Sequence, residues 1–155
     1  MSGLQLLIQF LGRICLSVFF ILSAIYQILD WQGTEAALTN AISDINGYHE
    51  MGIDFLRPSL DFISVNTSLF LAIGIGLELI GGLLIFLGLN PKVGAFFLAL
   101  FLIPTTLLFH HFWLLQGHEK EIQLAMFFKN ISILGGVFLL LATGSSKKAP
   151  PKKEG

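Results

Sequence analysis

Four side chains interrupt otherwise apolar runs: Arg13, Glu78, His110 and Lys129. Acid, base and imidazole groups are what hold an ion, relay a proton or hydrogen-bond a ligand oxygen. A charge in hydrocarbon costs about 2.5–3.5 kcal/mol on insertion scales, so such residues face other helices and find partners. Glu78 stands in Leu77-Glu78-Leu79-Ile80-Gly81-Gly82, within the run Val65 to Leu89. Gly74, Glu78, Gly81 and Gly88 recur on one helix face, which couples the acid to small residues that admit a close neighbour.

Depth suggests the partner. At 1.5 Å per residue, Arg13, Glu78 and Lys129 lie roughly 13, 16 and 20 Å from the same end of their helices. A lone buried charge costs about 3–5 kcal/mol, so Glu78 is expected to pair with Arg13. On the first helix Gln9, Arg13, Ser17, Ala24 and Gln27 form a polar or small stripe that would face inward. Lys129 is then a surplus base with three states open: a cation awaiting an anion or a carbonyl oxygen, a neutral amine, or the third member of a triad with Glu78 and Arg13. A purely structural network fits the same residues. His110 and His111 fall near the end of the third helix with Thr106 one turn before. On a helix they point about 100° apart, so the two do not ligate one metal. His118, Glu119, Glu121 and His49 make only a weak loop constellation for a metal.

The elements that must position these groups follow from composition. The chain has 155 residues, 54% hydrophobic and 12% charged, with a mean hydropathy of +0.79, well beyond soluble-domain values. The expected fold is all-α, an integral membrane four-helix bundle with spans over 4–29, 65–89, 93–115 and 122–142. The first run carries Arg13 and lacks a basic leader, so it reads as a retained helix rather than a signal peptide. Asn90-Pro91-Lys92 and the segment Gln116 to Glu121 are short enough to make antiparallel hairpins. Residues 1–144 form the membrane domain; 145–155 read as a disordered basic tail. Lys92, Lys147, Lys148, Lys152 and Lys153 fall on one side of the membrane, against Arg57 and Lys120 on the other, which makes both termini cytoplasmic.

Asp30 to Ser64 is the long outer loop. It is acidic, and Leu38, Ile42 and Ile45 follow Thr34 and precede Gly47 at helical spacing, a short amphipathic helix on the bundle mouth. A lid, a docking surface and a plain cap all fit it. The single cysteine, Cys15, excludes an internal disulfide or a CxxC redox pair. No phosphate loop, nucleophile elbow, zinc spacing or basic nucleic-acid face is present.

In order along the chain, Leu11-Gly12-Arg13, Gly76-Leu77-Glu78-Leu79-Ile80-Gly81-Gly82, Phe109-His110-His111-Phe112-Trp113 and Phe127-Phe128-Lys129-Asn130-Ile131 with Gly135-Gly136 resemble the DoxX family of small four-helix membrane proteins. Tyr26-Gln27 stands where many relatives carry a lysine. The resemblance implies a bacterial inner membrane protein, multi-pass, and brings Asn130 into the candidate set Arg13, Glu78, His110, Lys129 and Asn130. Some members are the membrane subunit of thiosulfate:quinone oxidoreductase, which implies a membrane quinone as ligand and no covalently bound cofactor. Two readings stay open. One is a subunit of a quinone-linked oxidoreductase, working with a membrane or periplasmic redox partner. The other is a non-catalytic scaffold or assembly partner, docking through the acidic loop. The bilayer is the expected partner in both, and a homo-oligomer is compatible with either.

Overall fold

The computed structural model describes residues 3–47 and 54–144. The basic tail, His49 and Glu50 lie outside the described residues. Those described are all-helical, with no strand. Four helical stretches are long and apolar enough to cross a membrane: Gly3–Leu29, Thr67–Phe86, Pro91–Leu114 and Gly117–Thr143. The protein is therefore membrane-spanning and lies against lipid. Large apolar side chains point outward along the spans, Leu22 at 60% and Leu139 at 68% exposure, an arrangement that suits hydrocarbon but not water.

Helix α1 (Gly3–Leu29) passes through Asp30 into α2 (Trp31–Gly47). Asp30 makes that corner. Its carboxylate accepts from Gly33 N at 3.3 Å, and its carbonyl accepts from the Thr34 hydroxyl at 2.8 Å. Thr34 is thus inside α2, not its cap, and the expected short helix is a 17-residue one. Leu38 and Ile42 are buried, as their spacing predicts, and cluster with Ala24, Leu60, Leu71 and Ile75. Each such burial contributes about 1.5–3 kcal/mol.

A 3-10 turn at Asp54–Leu56 leads into α3 (Arg57–Val65), whose start is favoured by Pro58. The sequence reading leaves α3 in the loop because its apolar spacing is short and follows a polar stretch. The outer connection is thus largely helical, and α2 and α3 pack on α4 (Thr67–Phe86). Beyond α4, Gly88 takes φ +65°, a value only glycine adopts easily. Asn90 then caps α5 (Pro91–Phe109), accepting from Val93 N at 3.4 Å, with Pro91 in the first turn. The third span is expected unbroken to Leu115. Instead α5 stops at Phe109, and a 3-10 turn at Phe112–Leu114 precedes α6 (Gly117–Thr143).

The spans pack in a row. α4 packs between α1 and α5, and α6 packs on the other side of α5. Phe20, Ile85, Ala95, Leu98, Leu102 and Val137 join all four through one apolar core. α1 and α6 pack far less closely than the other neighbouring spans, and a groove opens between them.

Candidate functional site

Small residues bring α4 against both neighbours. A Cβ on Gly82 would lie 2.9 Å from Ile21 Cγ1 and 3.4 Å from the Ser17 carbonyl; one on Gly81 would lie 3.0 Å from the Gly94 carbonyl. Glu78, one turn before Gly82, is thereby drawn against α1 and is 1% exposed. Gln27 Nε2 donates to Glu78 Oε2 at 2.6 Å and to Ser23 Oγ at 3.0 Å. The Ser23 hydroxyl also hydrogen-bonds the carboxyl. Ser17 and Ala24 are fully buried and Gln27 is half-buried, so this part of the expected stripe on α1 faces inward, whereas Gln9 is exposed and Arg13 half-buried on the groove.

The expected pair of Glu78 with Arg13 does not form. Arg13 lies against Gly88, where a Cβ would come within 2.6 Å of its Nη1. Gly88 is about ten residues, roughly 15 Å, along the chain from Glu78. The register explains the error. Counting depth from the first apolar residue of each run sets Leu4 level with Leu89, whereas the packed α1 overhangs α4 by about two turns at that end. Every α1 residue is displaced accordingly, and Gln27 arrives where Arg13 was expected.

Lys129 is not level with the others either. It is exposed, and its Nζ contacts Met126 Sδ at 3.5 Å. Asn130 Nδ2 donates to Thr106 Oγ1 at 3.2 Å, near the end of α5 farthest from Gly88. His110 and His111 sit beyond the end of α5, not on it. His110 Nδ1 lies 2.7 Å from Gln123 Oε1, and His111 Nδ1 lies 2.8 Å from the Leu108 carbonyl. Both oxygens accept, so each Nδ1 carries the proton. Phe112 and Trp113 stack edge-on against Phe127 of α6, centroids 5.2 and 6.0 Å away, closing this end. His118 and Glu121 form an exposed contact at 3.5 Å. Among the described residues no three metal-ligating side chains converge.

The five candidates therefore separate. Glu78 belongs to a buried network with Gln27 and Ser23. His110 and Asn130 tie the end of α5 to α6. Arg13 and Lys129 line one groove of about 1210 Å³ between α1 and α6, with Gln9, Cys15, Ser132 and Gly136 also on its walls. The sequence signal for Gln27 was its place on the polar stripe. Gln123 carried none, because glutamine near a helix start is ordinary. The groove itself is a property of helix placement, not of any motif.

Its walls combine apolar side chains with two cations and no acid. The chemistry of such a surface suits an elongated lipophilic molecule whose polar end is anionic or carries carbonyl oxygen. No curated protein and no solved structure gives a match to the chain. Residues 8–111 match the DoxX family over α1 to α5, a stretch that includes Arg13, Glu78 and His110 and stops before Lys129 and Asn130. With about two thirds of its length covered by that match, the chain belongs to the DoxX family.

Proposed function

We propose that this protein is the quinone-docking membrane subunit of an oxidoreductase of the thiosulfate:quinone type. The observation that carries the reading is the groove between α1 and α6 with Lys129 on its wall. The quinone supplies the redox chemistry, taking up two electrons and two protons. The Lys129 ammonium donates to a ring carbonyl, and the flanking apolar residues Ile133 and Leu140 receive the isoprenoid tail. His110 is less suited than the sequence suggested, since Gln123 already engages its Nδ1. The described chain carries one cysteine, exposed in the groove, so electrons come from a partner protein. Membership of the DoxX family favours the bacterial inner membrane, and the distribution of lysines favours both termini on its cytoplasmic side.

Gentle purification followed by solvent extraction and chromatography tests this. The native protein is expected to hold stoichiometric quinone, and Lys129→Met to lose it. Native protein without quinone, or a variant that retains it fully, overturns the reading. Proteins that co-purify in that case would support a scaffold docking through α2 and α3, where Asp44 and Asp61 are exposed.

A further inference from the structure

Arg13 has an arrangement that quinone docking leaves unused. Its Nε is buried without a hydrogen-bond partner, and no acceptor among the described residues meets its guanidinium. Two of the last carbonyls of α4 already accept within the turn that ends it, Leu84 O from Leu89 N at 3.2 Å and Ile85 O from Gly88 N at 3.1 Å. An arginine presents five donors in a planar fork that matches phosphate. Lys92 adds a second cation at the same end of the bundle. Its stem lies against Gly144, which lines the groove with Pro91. From there the groove runs along α6 past Leu140, Gly136 and Ile133 toward Lys129. A Cβ on Gly136 would meet nothing within 4 Å, so the channel is open at that point.

We propose that the Arg13 end of the groove between α1 and α6 holds the phosphate of an anionic phospholipid, with an acyl chain lying along the groove. The guanidinium donors find phosphate oxygens, Lys92 adds charge, and the chain fills the space that α1 and α6 leave between them. A zwitterionic lipid satisfies the donors but brings its own cation against Arg13 and Lys92, so the site selects net negative charge. The site does not rest on the quinone reading, because its headgroup lies at the opposite end of the groove from Lys129; the acyl chain and an isoprenoid tail would compete for the wall at Leu140 and Ile133.

The full chain would be reconstituted in vesicles of equal phosphatidylglycerol and phosphatidylcholine with matched acyl chains, then re-extracted in mild detergent. Native mass spectrometry reads the lipid retained. The wild type is expected to keep phosphatidylglycerol in preference to phosphatidylcholine. Arg13→Leu should lower that retention about tenfold, the size of one lost charge-assisted hydrogen bond. Gly136→Phe fills the groove while leaving Arg13 in place, and should lower it too; it decides the matter if Arg13→Leu fails to fold. Equal retention of the two lipids by the wild type, or undiminished retention in a folded Gly136→Phe, overturns the proposal. Quinone content measured on the same samples keeps the two readings apart, since retained lipid and extracted quinone are read separately.

Discussion

Glu78 accepts from Gln27 at 2.6 Å in surroundings where no ion pair reaches it among the described residues. The buried polar group is satisfied by an amide and a hydroxyl, and such a contact in a membrane interior is worth about 1–2 kcal/mol. Gln27→Leu is therefore expected to lower unfolding stability in micelles by that amount, and Glu78→Gln by less, since an amide still offers an oxygen to Gln27. A double-mutant cycle sharpens the contrast. Gln27 and Glu78 should couple, whereas Arg13→Leu and Glu78→Ala should add within about 0.5 kcal/mol, as distant sites do. Strong coupling between Arg13 and Glu78 in thermal or denaturant unfolding would show that the register described above is wrong.

At the scale of the element, the spans were legible because a run of about 20 apolar residues leaves few alternatives. Ser17 and Ala24 were legible as inward-facing because helical periodicity is local. What periodicity lacks is the relative height of two helices, which is set by contacts such as Ile21 on Gly82 that a single run of sequence does not contain. The end of α5 was hidden for a similar reason. Phe109 to Leu115 is apolar enough to continue a helix, but His111 turns its imidazole onto the Leu108 carbonyl and the chain leaves helical geometry. Close packing of α4 on α5 makes its own prediction. A Cβ on Gly94 would stand 2.7 Å from the Gly81 carbonyl, whereas one on Gly135 would meet nothing within 4 Å. Gly94→Ala should cost about 1–3 kcal/mol through forced separation of the helices, and Gly135→Ala should change stability by no more than about 0.5 kcal/mol. Unfolding midpoints of the two variants, measured side by side, check this.

Taken whole, the molecule is a row of spans with one open side, and its single cysteine lies on that side. Cys15 is thus a native reporter of the groove. A neutral lipophilic maleimide, which partitions into the apolar groove, should label it in the folded protein. Gly136→Phe, across the groove, should slow the reaction, as followed by intact mass. Equal rates in both proteins would mean that α6 does not shield Cys15.

The row also has a temporal meaning. α5 docks on α4 and α6 on α5, each on the span translated just before it, whereas α1 makes its main span contact only with α4. During synthesis α1 waits in the bilayer while α2 and α3 emerge; once α4 arrives, every later helix meets a finished surface. Because the last helix closes no ring, the Glu78 network between α1 and α4 is complete before α6 joins the bundle.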